Sequence, residues 1–209
     1  RLVIVLSGTR SELSWTDGEP RPMDYFDLKG LVDALVDATH LPDISMQPTE
    51  HPSFRPGATA ALLLAGSPAG IFGELHPRVS AAFALTKYPV LAADFDLETL
   101  LPAWPDHHLT KPVPRFPAIV EDIALIVDRT TPATDVTALI VQTGGKRLAR
   151  VQLFDVFHSA QLGADKKSLA FRLAFQSEEK TLTDKDAARL RNKIVKRLAQ
   201  EIGAELRDA

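Results

Sequence analysis

The side chains best suited to chemistry in this chain are its histidines, its glycines and a group of aromatic and basic residues in the second half. His51-Pro52 and His76-Pro77 supply two imidazoles that, with Glu74, match the ligand types a transition metal takes. No third ligand falls at helical spacing, and a histidine satisfied beside a proline turn is the competing reading. His107-His108 lies in a polar, proline-rich stretch and reads as solvated. Gly144-Gly145-Lys146-Arg147 shares only its lysine with a phosphate-binding loop, lacking the upstream glycine and the hydroxyl residue, so it reads as a helix stop before a strand. Gly66, Gly70 and Gly73 have the wrong spacing for a dinucleotide fingerprint, and neither GxSxG nor HExxH occurs. The chain has no cysteine, which removes a thiol nucleophile, cysteine-ligated zinc and a disulfide framework together and fits a reducing cytoplasm.

The second half offers a surface rather than a reactive group. In Lys167–Phe175, alternation puts Leu169, Phe171, Leu173 and Phe175 on one face and Ser168, Ala170, Arg172 and Ala174 on the other. Asp122–Val127 alternates likewise, with Ile123, Leu125 and Val127 opposite Asp122, Ala124 and Ile126. A sheet face of small residues with one arginine suits bases lying flat on it, and Phe154 or Phe157 could add a stacking ring. Lys146, Arg147, Arg150, Lys166 and Lys167 fall near strand ends, where they could meet phosphates. The competing reading buries this face against another domain and leaves the lysines solvated. Arg189, Lys193, Lys196 and Arg197 form a stripe on the last helix that reads as a solvated face.

These residues must be positioned by two units. The 209 residues allow one large domain or two of about 100 residues, and the balance of 45% apolar to 24% charged is globular. The longest apolar runs, Leu2–Leu6 and Ala60–Ala65, fall far short of the roughly 20 residues of a membrane helix, which predicts a soluble protein. Net charge is −3, but residues 1–110 hold 7 Lys/Arg against 14 Asp/Glu, and residues 111–209 hold 17 against 13. A −7 half beside a +4 half predicts different partners for the two, nucleic acid being a candidate for the basic one. Five of the fifteen prolines lie between Pro102 and Pro117, which predicts an extended linker over 102–112 between units at 1–101 and 113–209. The chain opens on an apolar run with neither initiator methionine nor signal-peptide layout, as expected of a piece cut from a longer polypeptide.

In the first unit, Leu2–Leu6 reads as a buried strand, and Asp24 caps a helix over about 25–38. Thr59–Ala65 and Ala69–Leu75 read as strands joined at Gly66-Ser67-Pro68, Pro77 opens a short helix to about Leu85, and Pro89–Leu97 reads as another strand. The pattern predicts a mainly antiparallel α+β module. In the second unit a strand at Asp122–Val127 precedes a helix from Pro132 to about Gln142. Strands follow at Arg150–Phe157 and Lys167–Phe175, then a helix capped by Thr183-Asp184-Lys185-Asp186 and a last strand at Ala204–Arg207. That order, β-α-β-β-α-β, is ferredoxin-like.

Five ordered motifs in this unit closely resemble one family: Arg115-Phe116-Pro117-Ala118, Glu121-Asp122-Ile123-Ala124, Leu153-Phe154-Asp155-Val156-Phe157, Lys167-Ser168-Leu169-Ala170 and Thr181-Leu182-Thr183-Asp184. They are similar to the ferredoxin-fold anticodon-binding domain that closes the bacterial phenylalanine–tRNA ligase beta subunit. Phe26-Asp27-Leu28-Lys29-Gly30, His51-Pro52-Ser53-Phe54-Arg55-Pro56-Gly57 and Gly73-Glu74-Leu75-His76-Pro77 resemble the end of that subunit's catalytically silent class II synthetase-like module. The expected architecture is therefore α+β, a partial class II synthetase-like antiparallel module followed by a ferredoxin-like domain.

The resemblance implies a cytoplasmic, ATP-dependent and magnesium-requiring ligase of two alpha and two beta subunits. Its aminoacylation site lies in alpha and its editing site earlier in beta, so no catalytic residue and no cofactor is expected in this chain. The implied partners are the anticodon of phenylalanine tRNA and the alpha subunit, with no membrane and no DNA. Residues implied to contact tRNA are Arg115, Asp122, Phe157, His158, Lys167, Ser168, Ala170 and Arg172. The chain departs from the family at Glu121, where arginine is usual, and at Phe157-His158-Ser159, where Tyr-Arg-Gly is usual. Arg55 and Ala58 likewise replace a common histidine and arginine. Phe157 keeps a ring without a hydroxyl, and His158 puts an imidazole where a guanidinium is usual. Two other readings stand beside this one: an amino-acid-sensing module of ACT type, which shares the β-α-β-β-α-β order, and a pure assembly scaffold.

Overall fold

The structure, a computed structural model, describes residues 1–15, 18–107 and 113–207. The chain divides into two compact units, Arg1–Thr110 and Lys111–Ala209. The proline-rich stretch falls partly on 108–112, outside the described residues. Of its described part, Leu101–Ala103 forms a 3₁₀ turn around Pro102 rather than an extended strand.

The first unit runs β1 (Leu2–Ser7), α1 (Tyr25–Thr39), β2 (Ile44–Pro48), β3 (Phe54–Leu64), β4 (Ser67–Leu75), α2 (Pro77–Ala82), β5 (Val90–Phe95) and α3 (Leu97–Leu100). Its five strands form one antiparallel sheet in the order β1-β5-β4-β3-β2. Asp24 caps α1 as its spacing predicts: its carboxylate accepts from the Phe26 N–H at 2.9 Å, while Asp27 accepts from the Asp24 N–H at 2.7 Å. Leu28 and Val32 of α1 pack on Leu62, Phe72, Leu91 and Phe95 of the sheet. The β3–β4 turn is Ala65-Gly66, both at positive φ (47° and 80°), so Ser67 and Pro68 belong to β4 rather than to the turn.

One expectation needs correcting. β1 is not buried on both sides: it is an edge strand, with Leu2, Ile4 and Leu6 turned to the core and Val3 and Val5 each 60% exposed. An apolar run of five cannot by itself distinguish a two-sided from a one-sided strand.

The second unit runs β6 (Ile119–Asp128), α4 (Ala133–Gly144), β7 (Leu148–Phe157), β8 (Lys166–Phe175), α5 (Asp184–Ile202) and β9 (Glu205–Leu206). The antiparallel order β7-β8-β6-β9 is the ferredoxin-like one. β6 and β8 pair without interruption from Ile119↔Phe175 to Asp128↔Lys166. This register gathers Ile123, Leu125, Val127, Leu169, Phe171, Leu173 and Phe175 on one face, where Val136 and Ile140 of α4 and Ala187, Ile194 and Leu198 of α5 cover them. Thr183 and Asp186 cap α5 reciprocally, as the sequence predicts. Gly203, at φ 63°, ends that helix and turns the chain into β9. In the stripe on α5, Arg197 is no solvated lysine-like charge: it donates to Gln142 of α4 at 2.8 Å and to Glu201 at 2.6 Å, tying the two helices.

Phe171 has no exposed surface in this core. Phe171→Ala should therefore destabilise the second unit by about 3–5 kcal/mol. Hydrogen exchange checks this: amides of β6 and β8 should exchange faster, and those of β4 and β5 should be unchanged.

Candidate nucleic-acid interface

The helices cover only one face of the second sheet. Its other face carries Asp122, Ala124 and Ile126 from β6, with Ser168, Ala170, Arg172 and Ala174 from β8. On β7 the register is broken twice, once between Leu148 and Arg150 and once between Leu153 and Asp155. The second break is decisive. Phe154 and Phe157 are three residues apart, and strict alternation would put their rings on opposite faces. The extra residue shifts the phase, so that Asp155 opposes Ala170 and Phe157 opposes Ser168. Both rings then stand on the open face, 49% and 41% exposed. The two residues that sequence alternation offered as alternatives stand on the same face.

Each ring is stacked by a guanidinium. That of Arg172 lies 5.2 Å from the centre of the Phe154 ring, and that of Arg207 lies 5.1 Å from the Phe157 ring. Arg172 is also held from the other side, donating to both carboxylate oxygens of Asp122 at 2.8 and 2.7 Å. These bonds pull the Asp122 carboxyl below its ordinary range. Lys166, at the end of the same face, pairs with Asp128 at 2.8 Å, which holds its ammonium above the usual range.

Ser168, Ala170, Asp122, Arg172 and Phe157 therefore share the open face. His158 follows β7 and lines a shallow hollow with Arg129, Ser159, Gly163 and Lys166, beside Phe157. Two of the expected residues are not brought to this group. Lys167 pairs with Val127 and has the parity of Leu169, which places it on the helix-covered side of the sheet; nearness to a strand end says nothing about which face a residue takes. Arg115 lies at the other end. The neighbouring Phe116 carbonyl accepts from Gln176 at 2.6 Å, beyond Phe175, whereas Phe157 pairs with Ser168, seven residues back along β8 or about 23 Å. Glu121 also faces the helices and meets Arg191 of α5 at 3.1 Å, so its carboxylate is a strut of the fold rather than part of the open face.

Arg207 was not among the residues singled out from sequence. Its backbone N–H bonds the Ala124 carbonyl at 2.9 Å, which extends the β9–β6 register and turns its side chain to the open face. The signal was the parity of a two-residue strand, which only its pairing with β6 fixes.

In the first unit, His51 and His76 do converge, lining one hollow with Glu50, Pro52, Phe54 and Pro56. Each Nδ1 accepts a backbone N–H at 3.2 Å, from Ser53 and Arg78 respectively. That places the proton on Nε2, the atom that would have to ligate a metal. Glu74 is taken by Arg55 at 3.0 and 3.1 Å. Among the described residues no three His, Cys, Asp or Glu gather as a cation site. Among them, too, no helix is long and apolar enough to cross a membrane.

A one-sided β-α-β-β-α-β sheet defines a ferredoxin-like domain, and the family described as ferredoxin-fold anticodon binding domain matches residues 114–207. Residues 1–97 match the family described as phenylalanyl tRNA synthetase beta chain CLM domain. The chain belongs to the phenylalanine–tRNA ligase beta-subunit family. It is 36% identical over 204 residues to the phenylalanine–tRNA ligase beta subunit of Symbiobacterium thermophilum, covering 98% of this chain and 22% of the relative. It is 35% identical over 208 residues to that of Shouchella clausii, covering 99% and 25%. For that of Listeria monocytogenes the identity is 34% over 204 residues, covering 97% and 25%. The chain thus spans about a quarter of the length of these relatives.

The bidentate pair gives a pH signature. Asp122 is depressed by its bonds to Arg172, so the pair's contribution is intact above the ordinary carboxylate pKa of about 3.9 and is lost as pH falls through the lower folded value. NMR titration of the Asp122 carboxyl carbon should give a midpoint below about 3.9, and Arg172→Ala should return it to that value. Equal midpoints in both proteins would show that the pair does not persist in solution.

Proposed function

We propose that the second unit binds the anticodon stem-loop of phenylalanine tRNA on its open sheet face, as the anticodon-reading part of a phenylalanine–tRNA ligase. The observation that carries this reading is the pair of rings, Phe154 and Phe157, brought to one face by the β7 bulge above a floor of small residues. Unpaired loop bases can stack on such rings, and a single-stranded loop presents bases free to do so. Ser168, Ala170 and Ala124 keep the floor low enough for bases to approach it. Phe157, Asp122 and Arg172 act at the bases, and His158 beside Arg129 and Lys166 acts toward the backbone. Lys167 and Arg115, off the open face or at its far end, contribute charge at longer range.

In this proposal ATP and magnesium serve the parent ligase and are not held by these residues. The alpha subunit, in an assembly of two alpha and two beta, carries the aminoacylation site, and the first unit belongs to the catalytically silent scaffold beside it. The complex works in the cytoplasm.

Gel-shift titration of the chain with the anticodon stem-loop across a salt series tests the reading. Phe157→Ala should weaken binding by about 1–3 kcal/mol, roughly 5- to 150-fold, and Phe154→Ala should weaken it less, by unseating the Arg172 guanidinium stacked on its ring. Affinity for an unrelated stem-loop should change much less. Unchanged affinity in both variants, or no footprint on the anticodon nucleotides, would refute it.

A further inference from the structure

The two guanidinium–ring stacks differ in one respect that matters. Arg172 is tethered: both of its bonded nitrogens are held by Asp122, so it stays over Phe154. Arg207 has no ion pair among the described residues, and its contact with the Phe157 ring is what positions its guanidinium. The contact spans the sheet. Phe157 stands on β7 and Arg207 just beyond β9, three strand spacings or about 14 Å apart, with β8 and β6 between them. The ring and the guanidinium must therefore reach toward each other and meet above the two central strands. Ser168, the cross-strand partner of Phe157, is accordingly 2% exposed although it lies on the face that no helix covers.

From this geometry we infer that Arg207 is a movable cap on the anticodon site: it covers the Phe157 ring in the free chain, and passes to the RNA backbone when a base takes the ring. The inference rests on the anticodon reading above. A base and a guanidinium compete for the same ring, and stacking of a base outweighs an exposed cation–π contact. The displaced guanidinium is a planar fork of donors, suited to a phosphate. Arg172 cannot make this exchange without leaving Asp122 unpaired. The site thus has one fixed stack and one exchangeable stack, and only the exchangeable one adds a phosphate contact on binding.

The test uses the 209-residue chain and an anticodon stem-loop RNA carrying the phenylalanine anticodon. Arg207→Gln keeps the backbone bond to Ala124 and removes the charge. Its plot of log affinity against log salt should be shallower than wild type by about 0.7, the loss of one single-strand phosphate contact. Extrapolated to high salt, its affinity should equal or exceed that of wild type, because no cap has to be displaced. Phe157→Ala should do the reverse, keeping the slope and losing affinity at high salt. In the free chain, ring current should shift the Arg207 side-chain protons upfield, and saturating RNA should abolish that shift. A wild-type slope in Arg207→Gln, or an upfield shift that persists in the complex, overturns the movable cap while leaving the anticodon site standing. A wild-type chain that binds no anticodon stem-loop at any salt overturns both.

Discussion

The second unit depends on the unbroken ten-residue pairing of β6 with β8. Because neither strand slips, a single choice of phase sends Ile123, Leu125, Leu169, Phe171, Leu173 and Phe175 to the helices and Asp122, Ala124, Ser168, Ala170 and Arg172 to the other side. Leu125, Leu169, Phe171 and Phe175 fill the core, and Ala124, Ser168, Ala170 and Arg172 make the floor. Core and candidate site are two readings of one register. A slip of β8 by one residue would bury Arg172 and expose Phe171 and Phe175.

Charge on this unit is less available than its excess of basic residues suggests. Arg172 is bound to Asp122, Lys166 to Asp128, Arg191 to Glu121 and Arg197 to Glu201. Exposed pairs like these contribute little stability each, but they fix where side chains stand. The open face is therefore shaped chiefly for stacking, with net charge acting at a distance to attract polyanions. Glu121 illustrates the division: a residue that departs from the family pattern in a motif of that family turns inward to a helix arginine and takes no place on the face.

Much of this was legible in the sequence because it rests on long periodic segments. The alternation in 122–127 and 167–175, the cap at Thr183 and the order of elements all follow from side-chain period and turn chemistry. The elements missed were too short to show a period: β2, with five residues ending in Pro48, and α3, with four. The bulge at Phe154 was illegible for a different reason. Local sequence does not mark it, and only pairing with β8 reveals that β7 holds one residue too many between Leu153 and Asp155. Arg207 was hidden likewise, since its face is set by β6. The parity of Lys167 could have been read from the same alternation that placed Leu169 and Phe171.

The β7 bulge also determines which kinds of genetic change the candidate site can absorb. Substituting Phe154 removes one ring and leaves the strand in phase. Deleting it would remove the bulge itself: Leu153 and Asp155 would become neighbours opposite Phe171 and Ala170, Phe157 would keep its place opposite Ser168 on the open face, and only the Phe154 ring would be lost. Phe157 is thus held by its own pairing with Ser168, and the second ring is an addition to the strand that can be gained or lost at a single codon without disturbing the register.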